Sequence, residues 1–271
     1  MSDIDQSISR YTTGNLRERL HAALRAAGLD PEVLRPADLG EADQFHTGGR
    51  EATVEVARAV GIGLGTRVLD VGSGIGGPAR HFAGLGAVVT GVDVTQEFVD
   101  LARELNLACL MAGSITMVLA PGQDTSLPPA SFDAATMLHV GMNLADKPAV
   151  FREVYRLLRP GGVFGVYDLM GTNELDYPVP WADAASSSYV ESAEAYANHL
   201  RAAGFNLTGN IDRTTAVLKY MGEAAARRES PALLAAQVLL GTDLEERMGH
   251  VAAAVKSGAL APRLLVALRP A

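Results

Sequence analysis

Cysteine is almost absent from this chain of 271 residues, and so are long apolar runs. The single cysteine, Cys109, excludes an intrachain disulfide framework and a cysteine-rich metal site. Residues 1–10 are polar and lack the apolar core of a secretory signal. No stretch is long and apolar enough to span a bilayer. These absences predict a cytoplasmic protein with no membrane partner.

Positive charge is also scarce. The chain has 23 Lys and Arg against 31 Asp and Glu, which gives a formal charge of −8, and no basic run occurs. Nucleic-acid binding depends on basic side chains that meet phosphates, so a nucleic-acid partner is not expected. The six histidines show no metal-ligand spacing, and no metal is predicted. Apolar residues make up 48% of the chain, enough for a sizeable core.

Short apolar segments alternate with helical segments through the middle of the chain. This alternation is typical of βαβ units, and it predicts an α/β fold with a mostly parallel sheet. The predicted strands are 67–71, 87–92, 115–120, 132–138 and 162–168, and the predicted helices between them are 78–85, 95–106 and 147–158.

The pattern differs on both sides of this core. Helices are predicted before it at 15–27 and 50–60, and after it come a helix at 192–203, a largely helical stretch at 220–257, and strands at 205–212 and 263–268. We therefore expect a helical lid region at 1–60, a ligand-binding core at 61–170, and a substrate-facing cap with the last strands at 171–271.

A glycine loop stands between the first predicted strand and the next helix. Gly72, Gly74 and Gly77 form a G-x-G-x-x-G pattern in the strand-to-helix context that nucleotide binding requires. Glycines allow a tight turn and close approach of a ligand to the backbone. Asp93 ends the next strand, where a carboxylate can accept hydrogen bonds from both ribose hydroxyls.

Asp70, two residues before Gly72, bears on the type of ligand. A dinucleotide would place its pyrophosphate beside this loop, and a carboxylate there would repel it. S-adenosylmethionine has no phosphate and carries an ammonium and a sulfonium, which Asp70 suits. The alternative is that Asp70 only caps backbone amides of the loop.

The motifs in this order resemble those of class I S-adenosylmethionine-dependent methyltransferases that act on small molecules. The resemblance runs from Phe45 to Asp168 and rests on the following segments: Asp70 to Gly76, Thr90 to Thr95, Gly122 to Asp124 before Leu127-Pro128, Ser131 to Val140, and Leu157 to Gly162. It implies a Rossmann-like doubly wound sheet of seven strands, mostly parallel with the last strand antiparallel, with N-terminal helices and a small helical cap.

The resemblance also implies a cofactor, S-adenosylmethionine, with S-adenosylhomocysteine as product. The positions that match the family's cofactor contacts are Asp70, Gly72, Ser73, Gly74, Asp93, Val94, Gln123, Asp124 and Leu138, with Tyr11 on a lid over the cofactor. At the third motif the family often has an acidic residue that contacts the adenine amine. Gln123 stands there and Asp124 follows it, which leaves open which of the two contacts adenine.

Methyl transfer requires alignment of acceptor, methyl and sulfur, and a general base only where the acceptor must lose a proton. His139, after the fourth predicted strand, is the first candidate base, and His46 is the second. Tyr167 ends the fifth strand and Trp181 follows a proline-rich loop, and both are candidate substrate contacts. Each of these side chains could instead have a purely structural role.

Three functions stay open from the sequence. The main hypothesis is methyl transfer to nitrogen, oxygen or carbon of a small molecule. The second is a methyltransferase fold that holds the cofactor as a scaffold and catalyses another reaction, such as a cyclization. The third is an NAD-dependent oxidoreductase, which Asp70 and the lack of a Tyr-x-x-x-Lys pair disfavour. A monomer and a homodimer are both compatible with the sequence.

Overall fold

A computed structural model of the chain describes residues 3–227, 237–240 and 243–271. Its strands are β1 Arg67–Val71, β2 Val88–Asp93, β3 Ile115–Leu119, β4 Phe132–Leu138, β5 Leu158–Gly171, β6 Asn206–Asp212 and β7 Leu260–Leu268. The helices in these ranges are α1 Asp3–Tyr11, α2 Leu16–Ala26, α3 Gly49–Ala59, α4 Gly77–Gly84, α5 Gln96–Ala108, α6 Lys147–Leu157, α7 Ala193–Ala202, α8 Thr214–Arg227, α9 Gln237–Leu240 and α10 Leu244–Ser257.

The seven strands form one sheet in the order β3-β2-β1-β4-β5-β7-β6. Neighbouring strands from β3 to β5 are parallel, whereas β7 runs antiparallel to both β5 and β6. This is the sheet that the sequence predicts, including its antiparallel last strand. The chain order reverses at β1, and the carboxyl ends of β1 and β4 therefore meet at the point where open α/β sheets bind ligands.

Both faces of the sheet are covered, because successive strand residues point to opposite sides. Val68 packs into the cluster under α4 and α5, while the next residue, Leu69, packs into the cluster under α6 and α7. The helices supply matching apolar stripes. In α6, for example, Val150, Phe151, Val154 and Leu157 recur at helical spacing and are all buried.

The N-terminal segment is fastened to the glycine loop by a buried ion pair. Arg80 of α4 bonds the carboxylate of Asp43, and it also donates to Asn106 and to the carbonyl of Ile75. A Cβ at Gly77 would clash with the carbonyl of Asp43. The third glycine of the loop therefore permits the close packing of this segment, and removal of one partner of such a buried pair costs about 3–5 kcal/mol.

Several segments differ from the sequence predictions at their ends. β5 begins four residues before and ends three residues after the predicted 162–168, because its ends pair with Phe132 of β4 and with β7. Helix α1 was not predicted, although Ile4, Ile8 and Tyr11 recur at helical spacing, because all other residues of this short segment are polar or charged. The predicted helical stretch 220–257 is helical in α8, α9 and α10, but residues 228–236 and 241–242 lie outside the described residues.

Within the described part, no helix has both the length and the apolar character needed to cross a membrane.

Candidate functional site

A cavity of about 1120 Å³ opens at the carboxyl ends of the central strands. Its floor comes from the ends of β1, β2 and β4, and its cover comes from α1, α8 and α10. Nine of the predicted site residues line it: Tyr11, His46, Gly72, Gly74, Asp93, Val94, Leu138, His139 and Trp181. The fold thus brings together residues that are as much as 170 positions apart in the chain.

The glycine loop forms one end of this cavity. Gly72 and Gly74 both have positive φ angles, 67° and 53°, and both line the cavity. Gly74 donates its amide hydrogen to Asp93 Oδ2 over 2.9 Å, and Thr95 donates its amide to Asp93 Oδ1 over 2.9 Å. The Asp93 carboxylate also lines the cavity, so a ligand bound against the loop would lie beside it.

Asp70 lies in β1, two residues before Gly72, and Ser73 is part of the glycine loop. Asp70 Oδ1 accepts a hydrogen bond from Thr136 over 2.7 Å, whereas Asp70 Oδ2 and Ser73 Oγ, both buried, have no hydrogen-bond partner among the described residues. Burial raises the pKa of Asp70 to about 7, and nearby Asp93 contributes in the same direction. Neither residue lines the cavity itself. Unpartnered polar atoms beside a glycine loop fit a polar, cationic ligand.

The third-motif residues lie further from the cavity than the sequence suggested. Ala120 and Gly122 line it, while Gln123 and Asp124 do not. Asp124 is exposed, and its amide donates to the carbonyl of Pro121. A contact from Gln123 or Asp124 to adenine stays a prediction, because the side chains in the structure do not reach the cavity wall.

His139 stands at the end of β4 in a left-handed backbone conformation with φ of 54°. This conformation is uncommon for a residue with a side chain, and it costs about 1–3 kcal/mol. His139 Nε2 lies 3.1 Å from Thr47 Oγ1, and the His139 amide donates to the carbonyl of Tyr167 over 2.8 Å. Burial lowers the pKa of His139 well below its usual range, with the neighbouring His46 as the second cause. His139 is therefore neutral at physiological pH.

His46 lies beside His139, with 6.0 Å between the ring centroids. Its Nε2 is 3.0 Å from the carbonyl of Gly49 and 3.0 Å from Thr53 Oγ1. Burial lowers the pKa of His46 to about 4. One ring nitrogen of His46 is thus committed to the start of α3, which suits a supporting role better than proton transfer.

Tyr167 supports the wall and does not face the cavity. Its ring is buried against His139, and its hydroxyl donates to the carbonyl of Thr47 over 2.9 Å. Tyr167 is absent from the cavity lining because the Thr47 segment packs over the end of β5, and a direct substrate contact at Tyr167 stays a prediction. Tyr167 fixes Thr47, which in turn contacts His139.

Helix α1 crosses the mouth of the cavity. Tyr11 lines the cavity and donates its hydroxyl to Asn143 Oδ1 over 3.2 Å. Arg10 pairs with Asp183 over 2.7 Å, and Arg247 of α10 pairs with the same carboxylate oxygen over 2.7 Å. These contacts join α1 and α10, both of which line the cavity, through the loop between β5 and α7.

The end of the cavity opposite the glycine loop is apolar. Trp181 lines this end. Its indole N–H donates a hydrogen bond to Ser188 Oγ over 2.9 Å, so the ring presents an apolar surface to the cavity. Further lining residues come from the loop after β4, from β5, and from α8 and α10; they include Met142, Leu169, Leu218, Met221, Met248 and Val251. Sequence reasoning missed these six, although the helical apolar spacing over 220–257 was the signal that could have found the last three.

Comparison with known proteins decides the family. Residues 69–166 match the sequence profile of the methyltransferase domain family. The O-methyltransferase cnsE of Penicillium expansum is 30% identical over 224 residues, which cover 70% of this chain and 79% of that protein. The chain belongs to the class I S-adenosylmethionine-dependent methyltransferases. Its enzyme class and its cofactor, S-adenosylmethionine, follow from this membership.

Other similar proteins show how far the likeness extends. The sterol 24-C-methyltransferase ERG6A of Gibberella zeae is 34% identical over 122 residues, 45% of this chain and 32% of that protein. The methyltransferase thus spans about a third of the length of the sterol methyltransferases that it matches. The crystal structure of the cyclase SpnF superposes with a TM-score of 0.66 at 21% identity and covers 96% of each chain. At this identity the likeness to SpnF shows the fold alone.

Proposed function

We propose that this methyltransferase transfers a methyl group from S-adenosylmethionine to a hydroxyl oxygen of a small molecule, with His139 as general base. The observation that carries the proposal is the position of a neutral, partly buried histidine on the cavity wall between the glycine loop and the apolar end. The O-methyltransferase cnsE, of which this chain covers 79% at 30% identity, supports an oxygen acceptor.

The residues of the loop fit the cofactor. Asp93 lines the cavity where its carboxylate could accept from the ribose hydroxyls, and Gly74 leaves room for the ligand against the backbone. The unpartnered oxygens of Asp70 and Ser73 suit the polar methionine end. Leu138 and Val94 line the cavity beside Asp93 and would flank the adenosine. When bound, the cofactor supplies a methyl group on a positively charged sulfur.

His139 would then act on the acceptor. A hydroxyl is a poor nucleophile until it loses its proton, whereas a free amine needs no base. Thr47 Oγ1 contacts one ring nitrogen of His139, which holds the ring in place and leaves the other nitrogen for the acceptor proton. His139 would accept the proton of the acceptor hydroxyl as that oxygen takes up the methyl group that the cofactor would supply.

The environment of His139 favours this role at neutral pH. A base must be unprotonated before it can accept a proton, and the pKa of His139 is held well below its usual range by burial. Activity should therefore persist at a pH below that at which an ordinary histidine becomes protonated. Tyr11 lines the cavity, and Arg10, Asp183 and Arg247 tie its helix to α10, so this cover would exclude water during transfer.

The decisive experiment replaces His139 by asparagine, which tolerates the left-handed backbone at this position. Formation of S-adenosylhomocysteine is measured with 7-hydroxycoumarin, 1-naphthol and estradiol as hydroxyl acceptors. We expect kcat to fall by about 10²–10⁴-fold, the usual contribution of general base catalysis. The affinity for S-adenosylhomocysteine should change less than about threefold, because His139 lies beyond the loop.

His81 offers a matched control, because it is a partly buried histidine on α4 that does not line the cavity. His81→Asn should leave kcat unchanged. An unchanged kcat in His139→Asn would remove His139 from catalysis. Tight cofactor binding without methyl transfer to any acceptor would instead support a scaffold role for the cofactor.

A further inference from the structure

The cavity is larger than a cofactor site alone requires. Its volume of about 1120 Å³ exceeds the ~300–1,000 Å³ of most small-molecule pockets. The glycine loop, Asp93 and Leu138 define the end that fits the cofactor. The remaining space lies beyond His139, and we call it the acceptor chamber, lined by Met142, Leu169, Trp181, Leu218, Met221 and Val251. A chamber of this size can enclose an acceptor comparable to the cofactor itself.

The walls of the acceptor chamber are continuous with an apolar core. All six residues belong to one hydrophobic cluster that also includes Val179, Val190 and Val255. Leu169, Met142 and Val251 are 1–2% exposed, so they are held in place by packing on their far side. A rigid apolar wall stabilises an apolar ligand by about 25 cal/mol per Å² of surface removed from water.

Charge on the acceptor would be costly against these walls. A carboxylate, a phosphate or an ammonium loses its hydration there and gains no compensating partner from apolar side chains. Besides Asp93, the charged residues that line the cavity in the described part of the chain are Glu41, Glu245 and Lys256. Glu245 and Lys256 are exposed and therefore lie towards the mouth, and Glu41 is outside the six residues of the chamber. Both histidines at the junction with the cofactor end, His46 and His139, have lowered pKa values and are neutral.

Methionines give the chamber some adaptability. Met142, Met221 and Met248 line the cavity, and methionine side chains are flexible and polarizable enough to fit irregular apolar shapes. Together with the Trp181 ring, they suit a broad, flat hydrocarbon skeleton better than a compact polar metabolite.

We infer that the acceptor is a neutral, largely apolar molecule of polycyclic size, with a hydroxyl presented to His139. This inference rests on the proposed function, since His139 is assigned there as the base. The apolar skeleton would occupy the acceptor chamber, and its hydroxyl would be the polar group at the junction. In the transfer, the acceptor O–H bond breaks and an O–CH₃ bond forms. The proton leaves on His139, and sulfur becomes neutral.

Trp181 allows binding to this chamber to be measured directly, because it is the only tryptophan in the chain. The protein is first titrated with S-adenosylhomocysteine by calorimetry. Estradiol, sarcosine and phosphoethanolamine are then titrated with and without saturating S-adenosylhomocysteine, and Trp181 emission is recorded. We expect estradiol to quench Trp181 at micromolar concentration, and the two charged compounds to leave its emission unchanged.

Variants locate the binding. Met248→Glu and Met221→Glu each place a charge in the wall at partly buried positions and should weaken estradiol binding by at least about tenfold. Leu64→Glu is the control, because Leu64 is 92% exposed beside the amino end of β1, at the other end of the sheet from the cavity. Its affinity for estradiol should match that of the unmodified protein.

The outcomes separate the two proposals. Tighter binding of sarcosine or phosphoethanolamine than of estradiol would overturn the inference, and so would estradiol binding that neither wall variant weakens. Failure of S-adenosylhomocysteine to bind would count against the proposed function instead. Estradiol binding without the cofactor product would still report on the chamber.

Discussion

The glycine loop builds one end of the cavity from a single turn of backbone, whereas the acceptor chamber is assembled from Met142, Trp181 and two helices, α8 and α10. At the loop, the contacts are backbone amides and carboxylates at fixed positions, such as Gly74 N–H to Asp93. In the chamber they are apolar side chains. A ligand shared by many related enzymes can be held by backbone geometry, while a variable acceptor is held by side chains that can change independently.

We therefore expect the glycine loop to tolerate substitutions less well than any other part of the site. Gly74 has φ of 53°, and a Cβ there would lie 3.8 Å from the Phe45 ring, within the cavity lining. Gly74→Val should therefore lower the affinity for S-adenosylhomocysteine by at least about 100-fold, or ~2.8 kcal/mol. Isothermal titration calorimetry measures this change.

Gly61 provides the control for backbone strain in that experiment. It has φ of 73°, and nothing lies within 4 Å of the Cβ position. Gly61→Val imposes a similar conformational cost without an obstacle in the cavity. It should lower stability but leave the affinity unchanged, and equal losses in both variants would mean that strain, not the ligand, explains the effect of Gly74→Val.

Substitution of Asp93 should have the next largest effect on cofactor affinity, because Asp93 contacts the loop and lies beside the expected ribose position. Asp93→Ala removes the acceptors for Gly74 and Thr95 together with any ligand hydrogen bonds. We expect a loss of about 1–3 kcal/mol in cofactor affinity, the cost of charge-assisted hydrogen bonds. Calorimetry on Asp93→Asn separates the charge from the geometry, since asparagine keeps one acceptor oxygen. An unchanged affinity in Asp93→Ala would remove Asp93 from the ribose contact.

The same contrast explains which parts could be predicted from the sequence. The loop and Asp93 belong to a short segment with a fixed spacing, and the strands β1 and β4 were predicted with their observed bounds because their apolar runs end at clear turn residues. Glycine and acid in that order constrain both the backbone and the ligand chemistry.

The acceptor chamber could not be predicted in the same way. Leu169 and Val251 are 82 positions apart. The sequence pattern of apolar residues in a helix is also the same whether their side chains face a core or a cavity. Tyr167 is a second example. Its place at the end of β5 suggested a ligand contact, but the Thr47 segment, distant in sequence, covers it. Tertiary contacts of this kind leave no local pattern, and the division into lid, core and cap stays a prediction.

The smallest expected effect lies at the loop and concerns a proton. Asp70 is buried with a pKa raised to about 7, so part of its population is neutral in the free protein near neutral pH. The ammonium of a bound ligand stabilises the Asp70 carboxylate and therefore lowers the pKa of Asp70. Below pH 7, ligand binding is then accompanied by loss of a proton from Asp70. The affinity for the ligand consequently rises with pH until Asp70 is ionised in the free protein too. Affinity for S-adenosylhomocysteine should therefore increase several-fold from pH ~6 to ~7.5 and then level off.

His46 and His139 do not contribute to this pH dependence, since both are already neutral in that range. Asp70→Asn should abolish the pH dependence, and an equal slope in that variant would assign the proton to another group, with Asp93, whose pKa is also raised by burial, the first to test.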